Sequence, residues 1–226
     1  GRARRAQPGP DGRPAGRSVS LHPRIATRST QLAAYFGTTF AISWSCWIPA
    51  ALLGDGIDAR WVRMLVYAGI AGPAVATLAL LHSNGTRAQR EEFWDRVWNV
   101  GRLRSGWMLP LVLTYPLLTA CAVGIDWAVS GRAADASALA RLLASPVTLV
   151  SHLVLTFALG PFPEELGWRG YALDRLQAGG SALGASVLLG IVWTAWHLPL
   201  FFVEGSYQHG LGVGSADFWL FGLTAV

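Results

Sequence analysis

From residue 31 onward the chain is dominated by apolar runs long enough to cross a bilayer, and no other feature constrains its fold as much. A crossing helix needs roughly 20 mostly apolar residues. The runs at 31–53, 61–82, 107–130, 146–163 and 181–203 meet that need, and a sixth begins near Phe218. Backbone N–H and C=O groups find no water in lipid, so such runs fold as helices. The expected fold is all-α, a polytopic transmembrane helical bundle of five full spans plus a truncated sixth. Composition agrees: charged residues make up 14% of the chain, against about 25% in a soluble domain.

Three segments are expected. Residues 1–29 are rich in Arg, Pro and Gly and poor in large apolar side chains, the composition of a disordered arm. Residues 30–106 hold the first transmembrane hairpin and a cytoplasmic loop, and residues 107–226 hold an intramembrane domain. Gly at position 1 and an apolar run at Val226 read as the ends of a fragment. Every basic residue is Arg, and the net charge of +5 comes largely from the arm, so it does not indicate a nucleic-acid partner. Arg clusters in the arm and at 87–104, while the loop after the third run carries Arg132 and Arg141. By the positive-inside rule the N terminus is cytoplasmic. The expected setting is a cytoplasmic membrane of bacterial type, because the all-Arg usage reads as a GC-rich coding bias. Cys46 and Cys121 lie in apolar runs and read as buried, inert thiols. Most of the 11 Trp residues read as interface anchors, with Trp168 and Trp193 as exceptions.

Against that apolar background, Glu164-Glu165-Leu166-Gly167-Trp168-Arg169 stands out, followed in the next run by Trp193-Thr194-Ala195-Trp196-His197. Charge at membrane depth costs about 2.5–3.5 kcal/mol per residue on insertion scales, so a chain that keeps these groups there uses them. Pro161 and Pro163 suit a helix start, predicting a helix over 164–178. Glu165 and Arg169 are spaced i, i+4 in the favourable order for an ion pair. Glu164 points about 100° away, with Trp168 as its own i+4 neighbour and no cation. The unpartnered Glu164 is therefore the candidate base that activates water, while Arg169 holds Glu165 and the backbone. Gly179-Gly180 is a natural turn. In an antiparallel hairpin Glu164 and His197 then reach similar height, so base and imidazole can face one cavity walled by Trp168 and Trp193. Pro199 should loosen the helix just beyond His197.

Glu-Glu-x-x-x-Arg followed by aromatic-x-x-x-His resembles the first two motifs of the CPBP family, which joins type II CAAX prenyl proteases with bacteriocin-processing and immunity-associated membrane proteins. The resemblance covers roughly residues 107–226. It implies an intramembrane endopeptidase with a cavity open to the cytoplasm and a membrane-tethered or lipidated, CAAX-like peptide substrate. Glu164, Glu165, Arg169 and His197 would form its catalytic set. Metal dependence stays open: a divalent ion such as zinc, with His197 and Glu164 as ligands, and a metal-free glutamate mechanism are both compatible with the resemblance. The family's further motif, a His followed four residues later by Asn or a similar residue, is absent from the 29 residues after His197. Residues 1–226 alone are therefore expected to be inactive. Two other classes fit parts of the pattern: a non-catalytic immunity or scaffold protein that binds a membrane peptide, and a transporter using Glu164 and His197 as a proton relay. The oligomeric state stays open.

Overall fold

A computed structural model describes residues 27–99, 101, 105–131 and 137–224. The arm expected at 1–29 lies outside these residues except for its last three positions, as do Arg102, Arg104 and Arg132. Among the described residues all regular structure is helical. Three helical rods are long and apolar enough to cross a membrane: Met108–Ser130, Pro146–Gln177 and Ala182–Phe202. The chain is a helical membrane protein.

Helix α1 (Arg28–Leu52) realises the first expected run, although its hydropathy falls below that of the three rods. It buries Tyr35, Thr39, Ser43, Trp47 and Ala50, a stripe at helical spacing rich in hydroxyls and indole. The second expected run is not one rod. Helices α2 (Arg60–Ile70) and α3 (Gly72–Asn84) meet at a 42° bend, and together they qualify as a fourth, broken span. Pro73 explains the break, since its ring removes a donor and crowds the carbonyl one turn back. Where α1 crosses this pair, backbones approach closely. A Cβ on Gly69 would run into the Trp47 indole, the role small residues take between membrane helices.

Helix α4 (Arg87–Trp98) opens on a full capping box, with Thr86 and Gln89 satisfying each other's backbone donors. Helix α5 (Ser105–Ser130) follows, and Cys121 is exposed on it, contrary to the expectation of a buried thiol; Cys46 on α1 is half-buried, and both thiols are free. After α6 (Ser137–Leu143), α7 (Pro146–Leu159) and α8 (Pro161–Gly167) meet at Gly160. A wider π turn over Trp168–Leu173 and a short α9 (Asp174–Gln177) complete this rod. The carboxylate motif thus sits inside the second rod instead of following it. Helix α10 (Ala182–Trp196) returns from the Gly179-Gly180 turn. At Leu198–Phe202 it passes into a 3-10 turn, so the α-helix ends beside Pro199 by tightening, where loosening was expected. Two short helices, α11 (Tyr207–Leu211) and α12 (Ala216–Thr224), end the described chain, the second realising the beginning of the sixth run.

The core lies where α1, α3, the π turn and α10 converge. Trp47, Trp168 and Trp196 are fully buried there. Two of these, Trp47 and Trp196, correct the reading of most Trp residues as interface anchors. Indole carries a large apolar body and a single donor, and Trp47 uses its donor on the Val66 carbonyl at 2.9 Å.

Candidate active site

The π turn begins one turn after Glu164, and the two acids leave α8 on different sides. Glu165 is half-exposed and pairs with Arg169, also half-exposed, at 3.0 Å. Both border a cavity of about 380 Å³ walled by Phe93, Val97, Phe157, Phe162 and Leu166. Arg96 reaches the same region, pairing with Asp174 and donating to the Gly170 carbonyl at 3.3 Å. This face is an amphipathic groove between α4, α7 and α8.

Glu164 turns the other way, towards α10. Its Oε2 accepts a hydrogen bond from the Trp193 indole Nε1 at 2.8 Å. One turn on, His197 is buried, and its Nδ1 lies 2.9 Å from the Trp193 carbonyl oxygen. A carbonyl oxygen only accepts, so Nδ1 carries the proton and Nε2 keeps a lone pair. The Trp193 and His197 rings are 4.0 Å apart. Phe221 on α12 stacks on Trp193 at 5.1 Å and meets His197 edge-on at 5.3 Å. Glu164 and His197 are therefore linked through one residue, Trp193, in an aromatic setting.

The two aromatics expected to wall the cavity take different places. Trp193 touches Glu164 directly. Trp168 packs in the core, edge-on to Trp196 at 5.4 Å and to Tyr35 at 5.7 Å. Gly167 makes this packing possible, because a Cβ there would strike Pro73 and the Tyr35 hydroxyl. The end of α10 is fixed from α1, where the Trp44 indole donates to the Trp196 carbonyl at 2.9 Å. That carbonyl is free for Trp44 because Leu200 donates to His197 in the 3-10 turn. Sequence reading did not single out Trp44, Tyr35 or Phe221. The first two sit on a helix more than a hundred residues away, and Phe221 lies in an ordinary apolar run; no local pattern marks them.

The donor set also bears on a metal. Among the described residues no three His, Cys, Asp or Glu side chains converge as ligands, whereas a catalytic zinc takes three protein ligands and an open position. Glu164 and His197 alone do not fit that requirement.

Comparison with known proteins meets this geometry at the same residues. Residues 146–225 match the model of the family described as type II CAAX prenyl endopeptidase Rce1-like. The stretch contains both motifs and every candidate residue. Over that stretch the chain is similar to this endopeptidase family. It is 29% identical over 180 residues to a protein named CAAX prenyl protease 2 from Methanococcus maripaludis, covering 77% of this chain and 64% of that relative. The chain thus spans a little under two-thirds of the relative's length.

Proposed function

We propose that the protein is an intramembrane endopeptidase that hydrolyses a peptide bond near the end of a lipidated, CAAX-like peptide tethered to the bilayer. The observation that carries this reading is the placement of Glu164. Among the described residues it has no salt-bridge partner; it is turned away from the Glu165–Arg169 pair and oriented by Trp193 beside His197. Hydrolysis needs a base that takes a proton from water as the oxygen attacks the scissile carbonyl carbon. It then needs an acid that returns a proton to the amine as the C–N bond breaks. Glu164 serves in both steps. His197, with Nδ1 held by the Trp193 carbonyl, uses Nε2 to accept a hydrogen bond from the water and aim it. No step is routed through a metal, since the described donor set does not fit one.

Arg169 and Glu165 act from the opposite face, holding the rod in register beside the groove. The cavity faces the cytoplasm, with the N terminus on the same side. The test is release of the C-terminal tripeptide from a synthetic prenylated peptide in proteoliposomes, followed by mass spectrometry. Time-dependent release is the expected result. Binding of the peptide without release contradicts the proposal.

A further inference from the structure

Trp193 contacts both candidate reacting groups. Its indole N–H donates to Glu164 Oε2 across 29 residues of sequence, and its backbone carbonyl accepts from His197 Nδ1. Its ring is clamped between His197 and Phe221, so the indole has little freedom to swing away. Among the described residues the cation nearest in sequence, Arg169, is spent on Glu165. A carboxylate in apolar surroundings without a donor is costly and adopts whatever orientation finds one. Phenylalanine at position 193 would keep the stack and lose the donor, so the nitrogen is what this position adds.

We infer that Trp193 is the positioning residue of the site: its indole N–H fixes the Glu164 carboxylate, leaving the second oxygen to face water, while its carbonyl fixes the His197 ring. The catalytic consequence rests on the hydrolytic reading above; the hydrogen bond and the orientation it imposes do not. Trp193 does not touch substrate atoms in this scheme. It acts through Glu164, so its loss lowers the rate of the chemical step and leaves substrate binding in place.

The experiment has two arms on the protein in nanodiscs. In the first, 15N-indole labelling displays the Trp side-chain N–H resonances, and Trp193→Phe identifies the one belonging to Trp193. That resonance is expected to move clearly in Glu164→Gln while the remaining indoles stay in place. A Trp193 resonance indifferent to Glu164→Gln overturns the inference, whatever the activity. In the second arm, Trp193→Phe is expected to lower kcat for the prenylated peptide about 10–100-fold, the range seen for partners that orient a reacting ligand, with KM unchanged. A coupled resonance with wild-type kcat in Trp193→Phe also overturns it. A coupled resonance in a protein that shows no cleavage sustains the positioning of Glu164 and contradicts the hydrolytic reading alone.

Discussion

Glu164 and Glu165 are neighbours of the same chemical type on one short helix, yet they live in different surroundings. Glu165 and Arg169 form an i, i+4 pair, each half-exposed, beside an open groove. Glu164 takes its hydrogen bond from another helix, from a Trp193 indole that is itself packed against His197 and Phe221. One peptide step along a helix is a turn of about 100°, and here that turn separates a half-exposed ion pair from a carboxylate held by the Trp193 indole. Sequence proximity therefore says little about shared function on a helix, and the partner on the next helix decides it.

Three substitutions sharpen the contrast between the packed side of this rod and its open side. The largest effect on stability is expected at Trp168, fully buried among Tyr35, Phe36 and Trp196. Trp168→Ala should cost about 3–5 kcal/mol, read as a large fall in the melting temperature of detergent-solubilised protein. A melting point within a few degrees of wild type would show that the core does not depend on this ring. Gly167→Ala comes next, because the added Cβ meets Pro73 and the Tyr35 hydroxyl. Overpacking of this kind costs about 1–3 kcal/mol, and the same melting experiment measures it; an unchanged melting temperature would mean that α3 and α8 are not in contact there. Arg169→Ala should do least. A pair this exposed contributes about 0–1 kcal/mol and weakens with salt. A loss well beyond that range would show that Arg169 is buried in the working protein and would erase the contrast between the two faces.

Much of this was legible in the sequence, and for identifiable reasons. The i, i+4 pairing of Glu165 with Arg169 follows from helical geometry alone, and so does the divergence of Glu164. Pro199 marked where the α-helix ends after His197, because proline cannot donate to the carbonyl four residues back, but not that a 3-10 turn follows. The hairpin about Gly179-Gly180 was expected to level Glu164 with His197; the structure sets Glu164 against Trp193, one turn before that histidine. What was not legible depended on packing between distant segments. Trp168 and Trp193 look equivalent in sequence, since each lies one turn from a candidate catalytic group. Which of them enters the core and which meets the carboxylate is set by α1, through Tyr35 and Trp44, and by Phe221 on α12. The bend at Pro73 was visible as a residue but not as a break, because proline is common in membrane helices that stay in one piece.

The central claim is that Glu164, not Glu165, carries the proton during hydrolysis, and the most direct test is single-turnover cleavage of the prenylated peptide by Glu164→Gln and Glu165→Gln side by side. Loss of a general base costs about 10²–10⁴-fold. The account predicts a loss in that range for Glu164→Gln with peptide binding retained, and a much smaller loss for Glu165→Gln. Equal losses in the two variants, or the larger loss at Glu165, would contradict it.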